Sequence, residues 1–553
     1  MTIKRRTVIK KRLAITISLV SFLFIGASFL APEAYSYQVK RVVSGQFILP
    51  VGTESNTTDI DTPTQLNGDP LDVTNSFLIF GRRHLDEERY YGDVVGYIDD
   101  PTSLLFSRVN SGRAIKIDYQ VVEFESGAEI LTGVTTMPES RYNKTIYLPR
   151  DFNMNRTILI PPSWKTFTQS NYEDERNIYA VNLTSKNTLW IGRSDTYSNY
   201  NSDLAYQIVE FDRDINVTSG TSVISGTLLN VPVSVDANKT LLLFSTMPSS
   251  NVAGIEGYYH VRGYLLNNNT MRFQRYSSGS GTTVTIYWYL AEFANEVIAK
   301  HGTDATIIGT GVYNATRNIT INPQWALNRS FIFHSTQANT TSATNGEDTW
   351  TSSELQQPTE GNVSAVFRVY ESSSCDDVQI VNSYCVIEFP PLDLISPNGG
   401  ENWSVGENQT ISWNYAKSSK DHSLTLKLCK AGCSDIANYS IIIADNVNAT
   451  NGSYNWWINN TVNTTASPMG ESLRVAVIDK DLRAPAQNSR SWDISNGDFK
   501  IKGAITNISS PYNGSTWYVG DNTYDVSWTK RGDLSSGNFT IQMTNSTGAY
   551  VLW

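Results

Sequence analysis

YQVVEF at residues 119–124 decides the fold, because nearly the same six residues return twice further along the chain. Residues 206–211 read YQIVEF and residues 288–293 read WYLAEF. Each copy ends a run in which apolar residues recur every second position, the pattern of a β-strand. A glycine follows each glutamate by ten residues, and an arginine precedes it by 15 to 17. The chain therefore contains a repeating β-unit of about 82–87 residues.

The recurring arginine and glutamate of each unit end two adjacent predicted strands. In a hairpin the two side chains would meet across the strands and form a bidentate ion pair. We interpret the pair as a structural latch, because no second acid, base or nucleophile recurs in each unit. The alternative is that the pairs line a ligand groove. The predicted pairs are Arg108 with Glu123, Arg193 with Glu210, and Arg275 with Glu292.

A short apolar strand opens each predicted unit, for example FLIF at 77–80. FIF at 331–333 opens a fourth unit that lacks the arginine and carries VFRVYE (366–371), so this copy is predicted to be degenerate. The fold class is all-β, with tandem β-sandwich-like repeats followed by Ig-like β-sandwich modules. The predicted segments are a signal at 1–36, an N-terminal extension at 37–74, β repeats at 75–153, 154–236 and 237–326, and a degenerate fourth repeat with a linker at 327–392.

The N-terminal segment is typical of an exported protein. Six Lys and Arg residues within the first 12 positions precede an uncharged, mostly apolar run at 13–31, and small residues flank Tyr35. The segment is a secretory signal or, alternatively, an uncleaved signal anchor that could just span a bilayer. The chain has a formal net charge of −10, and it becomes more acidic without this basic segment. This charge argues against nucleic acid and anionic membrane surfaces as partners.

N-glycosylation sequons are abundant. Asn-x-Ser/Thr occurs 23 times among 48 asparagines, and every copy follows the N-terminal segment. We expect a heavily N-glycosylated surface protein from a eukaryotic or archaeal cell. The sites that we single out are Asn143, Asn155, Asn182, Asn216, Asn238, Asn314, Asn318, Asn402 and Asn448.

The four cysteines form two close pairs, Cys375 with Cys385 and Cys429 with Cys433. In an exported protein two local disulfides are expected. A zinc site that uses all four thiolates is the alternative, but the pairs lie far apart in the sequence. The five histidines show no metal-ligand spacing, and we find no phosphate-binding loop. We therefore expect no metal, no cofactor and no enzymatic activity in this region.

The sequence changes character at ISPNGGENWSVGENQTISW (395–413). This opening, IIIADNVNATNGSYNWWI (441–458) and the closing DISNGDFKIK (493–502) resemble the Ig-like β-sandwich of the yeast cell-wall-synthesis, Ser-Thr-rich GPI-anchored group, which is common in large archaeal and bacterial surface proteins. The resemblance covers 393–503, and a truncated second copy follows at 504–553. The cysteines Cys429 and Cys433 depart from the family pattern. The positions that match its opening motif are Pro397, Gly399, Trp403, Gly406 and Trp413.

The resemblance implies spacer or adhesion modules without catalytic residues, and it favours an archaeal source. We therefore expect an exported, glycosylated structural or adhesion protein at the cell surface. Its expected partners are cell-wall or surface glycans or neighbouring surface proteins, with membrane contact only through the N-terminal segment or an anchor beyond Trp553. The alternative is a non-catalytic accessory part, for example a carbohydrate-binding part, of a larger extracellular enzyme that continues past residue 553.

Overall fold

The computed structural model covers the chain in two compact units, one from Tyr35–Pro391 and the other from Leu392–Tyr415 with Ser419–Trp553. The residues that it describes are 38–60, 69–84, 93–109, 111–167, 178–194, 201–212, 215–249, 259–277, 282–293, 297–308, 314–322, 327–338, 350–359, 362–370, 378–389, 392–415, 423–431, 433, 436–462, 467–480, 492–512, 514–516, 525–532, 542–545 and 548–551.

The first compact unit consists of four six-stranded repeats. Repeat 1 has strands β1 (Gln38–Leu49), β2 (Ser55–Asp59), β3 (Ser76–His84), β4 (Val95–Asp100), β5 (Ser103–Ser107) and β6 (Ile115–Ser126). Repeat 2 has β7 (Ala128–Met137), β8 (Asn143–Tyr147), β9 (Thr157–Thr166), β10 (Tyr179–Ser185), β11 (Thr188–Arg193) and β12 (Ser202–Phe211). Repeat 3 has β13 (Ile215–Ile224), β14 (Leu228–Pro232), β15 (Thr240–Pro248), β16 (Arg262–Asn267), β17 (Thr270–Gln274) and β18 (Val284–Phe293). Repeat 4 has β19 (Ile298–Ile308), β20 (Asn314–Asn322), β21 (Ser330–Ala338), β22 (Trp350–Thr359), β23 (Asn362–Tyr370) and β24 (Val378–Glu388).

All four repeats share one antiparallel topology. The first, sixth and third strands form one sheet with the sixth in the middle, and the second, fifth and fourth strands form the other with the fifth in the middle. The two sheets pack face to face, since the apolar cluster of repeat 1 joins residues of both, such as Val43 and Phe106. The all-β prediction with tandem sandwich-like repeats is therefore confirmed.

The sixth strand of each repeat is buried on both faces. In β6, Val121 belongs to the core of its own sandwich, whereas Val122 belongs to a larger cluster that joins all four repeats. Leu290 and Ala291 of β18 divide in the same way. A strand with two buried faces is expected to be continuously apolar, and this explains the runs that precede each Glu-Phe pair.

The four repeats form a closed ring around this shared cluster. Phe124, Phe211, Phe293 and Phe389, one from each repeat, contact each other edge to face in cyclic order, with centroid distances of 5.6, 5.7, 5.5 and 5.6 Å. The last of these distances joins repeat 4 to repeat 1. Edge-to-face packing at this separation is the preferred geometry for phenylalanine rings.

The structure corrects the predicted boundaries of the repeats. Residues 37–74 are not an extension, because β1 pairs with β6 along its length and belongs to repeat 1. The short strand that was expected to open each unit is the third strand, so the predicted repeats at 75–153, 154–236 and 237–326 are displaced by about half a unit. The segment 327–392 contains the last four of the six strands of repeat 4, β21 to β24, and the described strands of this repeat have the full six-stranded topology.

The second compact unit begins with the Ig-like module. Its strands are β25 (Leu392–Ser396), β26 (Asn402–Ser404), β27 (Asn408–Tyr415), β28 (Ser423–Cys429), β29 (Ile441–Asn448), β30 (Ser453–Trp457), β31 (Gly470–Asp479), β32 (Trp492–Ile494) and β33 (Phe499–Lys502). One sheet has the order β25-β27-β30, and the other has the order β26-β33-β31-β28-β29, with β32 paired to β31. Trp403 and Trp413 lie in the core between them, at 6% and 1% exposure.

The predicted second copy contributes two hairpins to the described residues. The first pairs β34 (Ala504–Ser510) with β35 (Ser527–Arg531), and the second pairs β36 (Gln542–Asn545) with β37 (Gly548–Val551). The Ser396–Pro397 and Ser510–Pro511 peptide bonds are both cis.

Candidate functional site

The recurring glutamate anchors the turn before the third strand. Glu123 accepts a hydrogen bond from the backbone N–H of Asp72 at 2.9 Å, and Glu210 and Glu292 accept from Asn153 and Asp236, each at 2.7 Å. The three turns are alike, since each Asp or Asn side chain accepts from the backbone N–H two residues later. A carboxylate that accepts a backbone N–H makes a strong, charge-assisted bond.

Three glutamates at this position also form ion pairs with Lys or Arg side chains of their own repeat. Glu123, whose side chain is 1% exposed, pairs with Lys40 at 3.2 Å and with Arg41 at 2.5 Å. Glu210 pairs with Arg150, and Glu388 of repeat 4 pairs with Arg329 at 2.9 Å. These carboxylates are therefore committed to the fold.

The recurring arginine anchors a different turn. Arg108 donates to the backbone carbonyls of Thr53 (3.0 Å), Pro50 and Arg113, which closes the turn between the first two strands. Arg275 donates to Ser225, Gly226 and Thr282 at 2.7–2.9 Å. Burial lowers the pKa of Arg108 to about 10.

The predicted Arg–Glu pairs are therefore wrong. Arg108 follows β5 and Glu123 lies in β6, which belong to different sheets of the sandwich, and the same holds for Arg193 with Glu210 and for Arg275 with Glu292. The hydrogen bonds and ion pairs of Glu123, Glu210 and Glu292 go to other groups. Among the described bonds of Arg193 is one to the carbonyl of Pro138 at 3.4 Å. Each of these residues bonds a backbone turn instead of its predicted partner.

The recurring glycine makes room for the aromatic residue of its own repeat. Gly133 pairs with Tyr206 and Gly220 with Trp288 across the first and sixth strands. A Cβ atom at Gly133 would lie 2.3 Å from the Tyr206 ring, and one at Gly220 would lie 2.4 Å from the Trp288 ring. The aromatic ring covers the half-buried glycine backbone, a device that stabilises β-sheets.

The glutamine of YQVVEF and YQIVEF connects neighbouring repeats. Gln207 of repeat 2 accepts from the backbone N–H of Leu78 and donates to its carbonyl, both at 2.8 Å. Gln120 of repeat 1 accepts from the N–H of Ile332 in repeat 4 at 2.9 Å. Each side chain thus bonds the third strand of the preceding repeat, and Gln120 does so across the closure of the ring.

A serine of the third strand bonds the fourth strand of the preceding repeat at three of the four interfaces. Ser163 receives the N–H of Gly96 at 3.1 Å, and Ser245 and Ser335 receive those of Val181 and Gly263. At the interface between repeats 4 and 1, Gly81 takes the place of this serine and Asp118 accepts from Ser352 instead. Asp118 is buried beside Arg83 and Arg368, at 3.5 and 3.6 Å.

A cavity of about 340 Å³ lies between the third strands of the four repeats. These strands begin beside the cluster of Phe124, Phe211, Phe293 and Phe389, which we call the phenylalanine ring, and run away from it. We call the cavity the axial cavity, because all four repeats line it. Its lining comprises 78–82, 160–164 with Gln207, Phe244 with His260, and 333–336. Sequence reasoning missed this site. The available signal is an aromatic residue in each of these strands, Phe80, Trp164, Phe244 and Phe333.

The wall of the axial cavity contains one buried ion pair. Arg82 donates to Asp93 at 2.7 Å and lies 5.5 Å from the ring centroid of Trp164. The Asp93 side chain is 11% exposed, and its burial raises its pKa to about 6, although Arg82 opposes the shift. At neutral pH the pair is therefore ionised and nearly neutral as a whole.

Two histidines line the axial cavity, His260 and His334. His334 Nδ1 lies 2.7 Å from the hydroxyl of Ser353, which is 7% exposed. A serine hydroxyl beside an imidazole is one part of a nucleophilic site, which also requires a third group that orients the imidazole. The described residues contain no group of three or more His, Cys, Asp or Glu that could hold a metal ion.

The two predicted disulfides have different outcomes in the structure. Cys429 and Cys433 are bonded, with their Cα atoms 5.7 Å apart, so this prediction is confirmed. Cys385 is a free, buried thiol that contacts His301 Nε2 at 3.7 Å, so its predicted bond to Cys375 is wrong. Cys385 lies in the middle strand of its sheet and faces repeat 3. Cys375 lies outside the described residues.

Most of the predicted glycosylation sites are accessible. Six asparagines are exposed, namely Asn143, Asn155, Asn216, Asn238, Asn318 and Asn402. Asn182 and Asn448 are half-buried, and their side chains accept hydrogen bonds from Tyr289 and Thr450. The side chain of Asn314 lies outside the described part of its strand.

The comparisons with known proteins concern the second compact unit. Residues 396–467 match the family model of the Kre9/KNH-like N-terminal Ig-like domain. No curated protein and no solved structure shows significant similarity to the chain. Within the described residues, no helix has the length and hydropathy that a membrane span requires. The segment 396–467 is thus similar to the Kre9/KNH-like Ig-like domains, which agrees with the predicted Ig-like module.

Proposed function

We propose that the chain is part of an exported, N-glycosylated cell-surface protein with a structural or adhesive role. The observation that carries this proposal is the Ig-like module at 396–467, which matches the Kre9/KNH-like family. The sequence of this module resembles that of the yeast cell-wall-synthesis group. The ring of four repeats precedes this module in the same chain. Such modules serve as spacers, and the ring is then the part that meets a partner.

The chemistry of the repeats supports a non-catalytic role for this region. The residues that recur in the repeats contribute to turns, to interfaces between repeats and to the phenylalanine ring. A catalytic carboxylate would need to face a cavity and keep its bonding capacity. Glu123 and Glu210 instead bond backbone N–H groups and cations.

The alternative is an accessory, carbohydrate-binding part of a larger extracellular enzyme. The axial cavity favours it, because its aromatic lining is the kind that binds sugars. Both functions place the chain outside the cell, and they differ in whether the whole protein has a catalytic domain.

The proposal is tested on intact source cells. Protease added outside the cells should degrade the protein, and glycopeptides that contain Asn143, Asn216 or Asn402 should carry glycans in mass spectra. Full protection from the protease, together with unmodified asparagines, would contradict surface exposure and glycosylation. A glycosidase or other hydrolytic activity of the full-length protein would favour the alternative.

A further inference from the structure

We propose that the axial cavity binds the non-reducing end of a neutral glycan. The proposal rests on the extracellular location that both proposed functions share, and it names the partner class of the ring. The glycan end could belong to a polymer of the cell surface or to an N-glycan on a second copy of this chain. The chemistry that recognises it is the same in both cases.

The aromatic lining is the first reason. Phe80, Trp164, Phe244 and Phe333 come from four different repeats and face one cavity. Aromatic rings bind the apolar C–H face of a sugar while its hydroxyls remain free to make hydrogen bonds. Because each ring comes from a different strand of a closed β-structure, the positions of the rings are set before the ligand arrives.

The polar groups between the rings are the second reason. Ser163, Ser335 and Thr336 place hydroxyls on the lining, and His260 and His334 add imidazoles. Ser163 and Ser335 are held in place by backbone bonds to the preceding repeat. Because a hydroxyl can accept two hydrogen bonds besides donating one, these fixed groups can still accept bonds from a polyhydroxylated ring, whereas a fatty-acyl chain has no donor to offer them.

Charge is the third reason. Arg82 is the cationic side chain on the described lining, and Asp93 neutralises it at a distance of 2.7 Å. A phosphate or carboxylate ligand would have to compete with this carboxylate, so a neutral ligand is favoured. The volume of about 340 Å³ lies at the small end of ligand sites, which run from about 300 to 1,000 Å³, and it accommodates only the end of a chain.

The experiment uses the full chain and isothermal titration calorimetry at pH 7. The probes are mannose, galactose, glucose and N-acetylglucosamine, with glucuronic acid, inorganic phosphate and a short-chain fatty acid for comparison. We expect saturable binding of at least one neutral sugar and weaker or no binding of the other three probes. Glycans released from the protein itself and from the source cell surface then form two arms that distinguish the two sources.

The variants are Trp164→Ala and Phe333→Ala, with Trp190→Ala as the matched control. Trp190 lies in the same repeat and packs against Tyr287 away from the cavity. We expect each cavity variant to weaken sugar binding by about tenfold or more and Trp190→Ala to leave it unchanged. Thermal unfolding identifies a variant that has lost its fold. In that case the other cavity variant shows whether sugar binding depends on the aromatic lining.

Three results would overturn the proposal. They are no saturable binding of any neutral sugar, tighter binding of phosphate or the fatty acid, and sugar binding that survives both cavity variants. The proposal is distinguishable from the surface function, because a chain that is exposed on cells but binds no sugar contradicts only the axial site. Sugar binding by a chain that is not exposed on cells contradicts only the surface function.

Discussion

At the residue scale, the glutamate of YQVVEF acts through the backbone. Its sequence position predicts a latch, but its partner is an N–H group of a turn about 50 residues away in the chain. A backbone donor leaves no signature in the sequence, whereas the recurring arginine suggests a pair that the sheet topology forbids. The residue type could therefore be predicted to be structural, and its contact could not.

Replacing Glu210 with Gln should destabilise the ring. The variant keeps the shape of the side chain but loses the charge that bonds the N–H of Asn153 and the guanidinium of Arg150. We expect a loss of about 1–2 kcal/mol in the free energy of unfolding, measured by denaturation with urea. Glu129→Gln is the control, because Glu129 pairs with the same arginine at 3.0 Å but is 61% exposed, and it should cost under about 0.5 kcal/mol. Equal effects of the two variants would argue against the latch.

His301 gives the ring a dependence on pH. It donates from Nε2 to the carbonyl of Thr240 at 2.8 Å, and its burial lowers its pKa from 6.5 to about 4. The unfolded chain therefore binds a proton between these pH values and the folded chain does not, so stability is present above pH 6.5 and is lost as the pH falls towards 4.

Comparison of the wild type with His301→Asn isolates this contribution. The stability lost between pH 7 and pH 4 should be smaller in the variant by about 2 kcal/mol, measured from urea midpoints at each pH. The comparison cancels the pH-dependent contributions to stability that both proteins share. One of these comes from Asp93, whose raised pKa makes stability increase as the pH falls. Identical pH profiles would show that the pKa of His301 is the same in the folded and unfolded protein, which contradicts this account.

At the element scale, the first and sixth strands are fitted to each other by a glycine and an aromatic ring. The spacing of ten residues from glutamate to glycine was visible in the sequence, but it joins one repeat to the next. The physical pair is the glycine with the aromatic residue of its own repeat, for example Gly302 with Tyr384. A spacing along the chain does not show which strands pair, since pairing depends on the third dimension.

Gly220→Ala should destabilise repeat 3, because the new methyl group would lie 2.4 Å from the ring of Trp288. We expect a cost of about 1–3 kcal/mol, typical of overpacking. Gly226→Ala is the matched control, since a Cβ atom there meets no heavy atom within 4 Å. A thermal unfolding experiment in which both variants melt with the wild type would contradict the aromatic cover.

At the scale of the whole molecule, the sequence predicts the β-class and the Ig-like module, and it does not predict the ring. Repeat 4 carries the motif as YCVIEF at 384–389, which shares four of its six residues with YQVVEF, so the predicted counterpart VFRVYE at 366–371 is wrong. Two of the shared residues are ones that the ring needs, since Tyr384 covers Gly302 and Phe389 completes the phenylalanine ring. The missing arginine anchors a local turn, so its loss does not prevent closure.

Phe124 and Phe389 report directly on the closure of the four-repeat ring. These residues lie in repeats 1 and 4, and the centroids of their side chains are 5.6 Å apart. The contact exists because the four repeats close into a ring. The measurement is a double-mutant cycle with Phe124→Leu and Phe389→Leu, in which the free energy of unfolding is determined for each single variant and for the pair. The control cycle combines Phe124→Leu with Phe273→Leu, because Phe273 lies in the separate core of repeat 3.

We expect a coupling energy of about 0.5–1.5 kcal/mol between Phe124 and Phe389, as for other aromatic pairs in contact. The control pair should be additive within about 0.5 kcal/mol. Additivity of Phe124 with Phe389, in variants that keep the native fold, would mean that repeats 1 and 4 do not meet and that the four repeats form an open array.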